Sequence, residues 1–197
     1  MNSRNLFYVR NIQIKLVFNN DKKMRSLFLL EKYLFESFNE KNEKFLISIK
    51  LKWFYDEIEK EIFSTKITNN LKELVKNGFK KDILQLVDNF HEIINCEYNK
   101  NFVSEFENFN KKFNKIIFKI DNQFYTNLYF QFAYFLYKNR NVPKKNFTIQ
   151  INNKIDIFEK TFLVLFKKVI KKNNDKISKK RYLYQLIKEF VKNVFKS

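Results

Sequence analysis

Apolar side chains return at every third or fourth position along almost the whole chain, and this spacing limits its fold more than any other feature. Met24, Leu27, Leu30, Leu34 and Phe38 form one stripe, and Ile47, Leu51, Phe54, Ile58 and Ile62 a second. Ile83, Val87, Phe90 and Ile94 follow, then Phe102, Phe106, Phe109, Phe113 and Ile116. Tyr125, Leu128, Phe132 and Phe135 make another, as do Ile155, Phe158, Phe162, Leu165 and Val169, and finally Leu183, Ile187, Phe190 and Val194. A helix of 3.6 residues per turn gathers each set on one face. Tight hairpins would need glycine-bearing turns, and Asn77-Gly78 holds the only glycine. The expectation is an all-α bundle of roughly six to nine helices with short connections.

The breaks between stripes carry the expected chemistry. Thr68 and Asn69 are candidate N-caps for a short helix, and Gly78 is placed to end it in a left-handed conformation. Pro143, inside the polar stretch Asn139–Asn146, ends a Tyr125–Tyr137 helix. Lys171–Lys176 reads as a helix break or basic turn, and Asn152–Asp156 is compatible with an extended segment. No internal repeat is visible. A length of 197 residues, 45% of them hydrophobic, suits a single domain over 1–197, with 147–197 a basic C-terminal helical part.

Composition bears mainly on charge. The chain has 25 Phe and 10 Tyr but one Gly, one Pro and one Ala, a usage that AT-rich coding imposes on any fold. Lys and Arg number 39 against 21 Asp and Glu, a net +18. From Lys160 to Ser197 twelve basic residues face only Asp175 and Glu189. The surplus favours an anionic partner: nucleic acid, an acidic membrane surface or a phosphorylated small molecule. The plain alternative is lysine solvating helix faces. The lone Cys96 implies a reducing compartment, and no apolar run is long enough to span a bilayer. Arg4, Arg10 and Lys15 precede the first acid, Asp21, a faint likeness of a transit peptide without a secretory signal. The expected location is cytoplasmic or peripheral to the inner membrane, on the matrix side in a eukaryote.

Several site chemistries are excluded. One His and one Cys, His91 and Cys96, cannot build a zinc site, and a single glycine leaves no phosphate-cradling loop. A Ser-His-Asp triad would need His91, which lies on an amphipathic helix and reads as a core or surface histidine. Nothing near Cys96 suggests an activated thiolate. Tyr182, Tyr184, Lys188 and Phe190 could stack bases and pair phosphates, yet no nucleic-acid motif accompanies them. A basic amphipathic helix on anionic lipid uses the same residues equally well. Glu36 and Glu40 share a helix face at the spacing of a Mg²⁺–diphosphate pair. Asp56, Glu57, Glu59 and Glu61 read as a solvated face.

The segment Ile49-Lys-Leu-Lys-Trp-Phe-Tyr-Asp-Glu-Ile58 resembles the Ile-Arg-Leu-Gln-Trp-Trp-Arg-Asp-Ala-Leu stretch of the squalene/phytoene synthase family. Ile49, Leu51, Trp53 and Asp56 match, and Lys50 and Phe54 are conservative changes. Ile83–Asp88 is similar to that family's Leu-Ile-Asp-Ala-Arg helix, and Phe102–Ile120 to its Tyr-Ala-Glu helix. Arg25 and Tyr33–Glu36 resemble its Arg and Phe-Asn-x-Glu. Phe132–Arg140, with Pro143 after it, falls where the family has Ala-x-x-Leu-x-x-x-Leu-Arg and a Pro. The likeness runs from Arg10 to Asn146.

This resemblance implies an isoprenoid-synthase-like bundle around a central cavity. Active members condense prenyl diphosphates with Mg²⁺ held by two Asp-rich motifs. Here Glu36, Glu40 and Asp88 would be the diphosphate and Mg²⁺ residues, and no acid stands on Tyr125–Arg140 for the second motif. The resemblance is closest to a branch that lacks the acidic motifs and is associated with respiratory complex I assembly. The implied function is a non-catalytic scaffold or lipid-binding factor without cofactor, its basic C-terminal helices on a membrane surface or on respiratory complex subunits. The alternatives are a divergent prenyl-diphosphate transferase using Mg²⁺ and, third, a basic helical nucleic-acid binder.

Overall fold

The computed structural model describes residues 8–37, 44–96, 100–121, 157–158, 160–161, 164–165 and 178–194. Every regular element among them is helical. They are α1 (Tyr8–Leu16), α2 (Lys22–Ser37), α3 (Lys44–Glu59), α4 (Lys66–Leu74), α5 (Lys80–Asn95), α6 (Lys100–Asp121) and α7 (Lys179–Val194). The chain divides into two compact units, Ile12–Gln123 and Met1–Asn11 with Phe124–Ser197. The Tyr125–Tyr137 helix, Pro143, Asn152–Asp156 and Lys171–Lys176 lie outside the described residues.

In the first unit α5 packs between α3 and α6, while α2 lies along α4 and touches α6. The stripes predicted for these helices are their buried faces. Met24, Leu27, Leu30 and Leu34 are buried on α2, and Ile47, Leu51, Phe54 and Ile58 on α3. Ile83, Val87, Phe90 and Ile94 are buried on α5, and Phe106, Phe109, Phe113 and Ile116 on α6. Phe35 sits among the rings of Phe90, Phe106 and Phe109 at centroid distances of 5.1, 5.6 and 5.5 Å. Phe28 meets Phe113 edge-on at 5.4 Å and stacks on Phe18 at 4.6 Å. These separations suit edge-to-face and offset pairs, each about 0.5–1.5 kcal/mol beyond area burial.

Helix ends follow from backbone chemistry. Asp21 accepts the Met24 N–H at 2.9 Å and so caps α2. After α3 the chain turns through Glu61 at φ 56°, with the Ile62 N–H on the Glu57 carbonyl at 2.8 Å and the Glu61 N–H on the Ile58 carbonyl at 3.2 Å. That pairing is a Schellman turn, and it throws Ile62 out of the predicted stripe into solvent. The N-cap of α4 is Thr65, not Thr68 or Asn69. Thr65 and Thr68 exchange side-chain-to-backbone hydrogen bonds in a reciprocal capping box, so Thr68 stands at the third helical position. Gly78, at φ 86°, separates α4 from α5 within the wide turn Val75–Phe79. A Cβ there would meet nothing within 4 Å, so glycine is required by conformation and not by space.

The second unit corrects one predicted face. On α7 the buried residues are Tyr182, Gln185, Leu186 and Glu189, whereas Ile187 and Phe190 of the predicted stripe are exposed and Leu183 is half-buried. Apolar residues fill an arc of about 200° on this helix, wide enough to hold both the buried and the outward face, so periodicity alone does not choose between them. The Tyr182 hydroxyl donates to the Phe158 carbonyl at 3.0 Å and anchors the inward one.

Truncating the ring cluster should be costly and truncating the exterior should not. Phe109→Ala should lower the unfolding free energy by about 3–5 kcal/mol. Trp53→Ala, at a side chain 70% exposed, should stay within about 0.5 kcal/mol. Urea denaturation followed by circular dichroism measures both, and equal losses would contradict the assigned core.

Candidate functional site

The carboxylates singled out for a diphosphate site do not make one among the described residues. Glu36, on the last turn of α2, is ion-paired with Lys32 at 3.3 Å. Asp88 lies exposed on α5, beside a shallow depression of about 390 Å³ that Ser48, Lys52, Tyr55, Glu59 and His91 also line. Glu40 is outside the described residues. No group of three or more His, Cys, Asp or Glu is placed to hold a metal among the described residues. Of the other residues carrying the resemblance, Trp53 faces solvent and Asp56 pairs with Lys52 at 2.8 Å. The hydrogen bond that Lys52 donates to Asp56, and the charge of that carboxylate, raise the Lys52 pKa. Arg140 lies outside the described residues.

Nucleophilic chemistry is equally unsupported by the geometry. His91 Nε2 approaches Ser48 Oγ at 3.2 Å, joining α5 to α3, and the Asn95 amide nitrogen lies 3.3 Å from both ring nitrogens. Ser48 lies within α3, where its own N–H belongs to the helix and leaves no backbone donor for an oxyanion. Cys96 caps α5, its N–H on the Glu92 carbonyl at 2.8 Å. Burial, then the nearby Glu105 and Glu92 charges, push its thiol pKa up, the opposite of activation.

Two other features concentrate unpaired charge or apolar surface. In the first unit, α2 and α4 enclose an open groove of about 570 Å³ lined by Lys22, Arg25, Lys72, Lys76, Asn69 and Asn70, with Ser26, Leu29, Glu73 and Asn77. The placement of α4 depends on Glu57, read from sequence as part of a solvated face. Its carboxylate instead accepts the hydroxyls of Ser64, Thr65 at 3.2 Å and Thr68 at 2.8 Å, clasping the start of α4 to α3. The bond from Ser64, then those from Thr68 and Thr65, outweigh burial and lower the Glu57 pKa. The sequence signal was available in Ser64-Thr65-x-x-Thr68, three hydroxyls following an acid-rich helix end.

In the second unit, α7 turns Tyr184, Ile187, Phe190 and Val191 outward, at 70, 64, 54 and 47% exposure. Lys180, Lys188 and Lys192 are exposed on the same helix. At 100° per residue Lys188 and Lys192 both lie beyond Tyr184 on one side, so the outward surface is an apolar strip with one basic edge. Among the Tyr considered for base stacking, Tyr184 is therefore outward and Tyr182 is buried.

Comparison with protein-family models, curated proteins and solved structures finds no match for this chain. The resemblance of Ile49–Ile58 and its neighbours to the synthase family rests on those residues alone.

The clasp on α4 should be pH-sensitive. Because the folded pKa of Glu57 is lowered, its contribution is fully present above the ordinary carboxylate value of 4.5 and is lost as pH falls through the folded value. Glu57→Gln should cost about 1 kcal/mol near neutral pH, kept small by solvent screening. The gap between wild type and variant should close progressively as pH drops below 4.5. Urea midpoints measured across pH decide this, and a gap independent of pH would show that charge has no part in the clasp.

Proposed function

We propose that this chain is a non-catalytic helical scaffold that lies peripherally on an anionic lipid surface, with α7 as the contact. The observation that carries this reading is the outward strip of α7, four large apolar side chains bordered by lysines. Such a strip resting in the headgroup region removes Ile187 and Phe190 from water, where full burial of each is worth about 1.5–3 kcal/mol. Each nearby lysine adds about 1 kcal/mol against a negative leaflet. Tyr184, an amphipathic ring at the edge of the strip, suits the boundary between water and acyl chains.

The charge distribution supports the same reading. The twelve basic residues of Lys160–Ser197 meet two acids. Glu189 accepts from Gln185 at 2.9 Å and pairs with Lys192 at 3.5 Å, while Lys180 and Lys188 have no ion pair among the described residues. No described helix is long and apolar enough to cross a membrane. A role in respiratory complex assembly is the narrower form of this proposal and draws on the resemblance of Ile49–Ile58; it adds a protein partner at the same surface.

Vesicle co-sedimentation tests the reading. Wild-type protein should sediment with vesicles rich in phosphatidylglycerol and not with phosphatidylcholine alone. Ile187→Asp/Phe190→Asp should lower the partition constant by at least about tenfold, with the helical circular-dichroism signal unchanged. Lys188→Gln/Lys192→Gln should weaken binding at about 0.1 M salt more than at 1 M. Wild-type binding by the Ile187→Asp/Phe190→Asp variant would overturn the proposal, as would a preference for oligonucleotides that displaces the vesicles.

A further inference from the structure

The α2–α4 groove of the first unit is built from residues far apart in sequence and lies on helices with no part in the proposed lipid contact. Lys22 and Arg25 stand in the first turn of α2, and Lys72 on α4. Lys76 sits in the turn that follows α4, between Leu74 and Gly78. Among the described residues none of these four cations forms an ion pair. Lys72 has one partner, the Phe63 ring, whose centroid is 6.0 Å from the ammonium. Glu73 is the only carboxylate among the lining residues. Its backbone carbonyl accepts the Asn77 amide at 2.6 Å, and Ser26 Oγ donates to the Lys22 carbonyl at 2.7 Å. Asn69 and Asn70 add neutral amide donors, and Leu29 is half-buried in the wall.

We infer that this groove binds a small ligand bearing several phosphate groups. Like charges held together on two packed helices repel, and that repulsion weakens the pairing of α2 with α4 unless an anion lies between them. Three lysines offer point charges and Arg25 a planar fork that can hold two oxygens of one phosphate. A single phosphate occupies a small part of 570 Å³, whereas several phosphates on one scaffold reach cations of both helices at once. Carboxylate ligands suit the site less well, since they carry less charge for the same volume. The open, polar lining suits an exchangeable polar ligand and offers little to an acyl or prenyl chain. The phosphates can be those of a soluble metabolite or of a polyphosphorylated lipid headgroup, two sources of one chemistry.

Isothermal titration of the full chain with tripolyphosphate and with inositol hexakisphosphate at about 0.15 M salt tests the inference. Saturable one-to-one binding is expected, weakened at least tenfold by Arg25→Glu/Lys76→Glu and less by Arg25→Gln/Lys76→Gln. Ile187→Asp/Phe190→Asp on α7 should leave it unchanged, so this inference and the lipid reading fail separately. Binding to vesicles carrying a phosphatidylinositol polyphosphate, measured in that α7 variant, assigns the headgroup as source. Binding to the soluble phosphates alone assigns the metabolite. No binding in either arm overturns the inference, as does binding that the Arg25→Glu/Lys76→Glu protein retains while its circular dichroism is native. A response to oligonucleotides without one to either polyphosphate also overturns it.

Discussion

The ring cluster on α2, α5 and α6 is the constraint from which the rest of the first unit follows. A chain with one alanine and one glycine has few small side chains with which to bring helix backbones close. Helices must instead stand apart by the width of the residues between them, and phenylalanine fills that width. Phe35, Phe90, Phe106 and Phe109 form a closed set of ring contacts that draws residues from all three helices. With α5 held on α6, α5 also receives α3, while Phe54 of α3 meets the Tyr33 ring of α2 at 5.5 Å. With α2 held, its outer side receives α4, so the groove exists because the ring cluster orients the helix that forms its wall.

How far this could be read from sequence depended on whether a helix has one apolar face or two. On α5 and α6 the apolar stripe alternates with Lys, Glu and Asn, so period and burial coincide. By contrast, α2 also buries Phe28 and Phe35 outside its stripe, and α3 leaves Phe45, Leu46 and Trp53 exposed. On α7, Tyr182 and Leu186 compete with Ile187 and Phe190, and the choice falls to the Tyr182–Phe158 bond, which periodicity does not contain. The α4 cap failed for a related reason. Thr65 and Thr68 are equally good capping residues, and the Glu57 clasp that engages both comes from a different helix. The groove was hidden more thoroughly, because Arg25 and Lys76 become neighbours only through the α2–α4 contact.

The Ile49–Ile58 segment shows how a motif divides under structure. Leu51, Phe54 and Ile58 are buried, Phe54 with its ring 5.5 Å from that of Tyr33 on α2, work that any amphipathic helix in this position needs. Trp53 and Asp56 carry the more distinctive half of the resemblance, and both lie away from that buried face. Asp56 serves Lys52, whose ammonium also sits 5.3 Å from the Tyr55 ring centroid, a local surface cluster. The packing half of the motif is therefore explained by the fold, while an exposed tryptophan is explained by nothing within the first unit.

Charge decides what remains. The acids that form described ion pairs act locally: Glu36 on Lys32, Asp56 on Lys52, Glu61 on Lys80, Asp82 on Lys119 and Glu189 on Lys192. Glu57 is spent on hydroxyls, not on a cation. Of these acids only Glu189 reaches the basic edge of the α7 strip, at Lys192, and none pairs with a cation of the α2–α4 groove. Self-repulsion then opposes the compact state most strongly where cations face one another across a gap. An anion bound at such a place is favoured by the native fold and absent from the unfolded chain, so occupancy and stability rise together. Where the fold concentrates unpaired positive charge, binding and folding thus become one equilibrium.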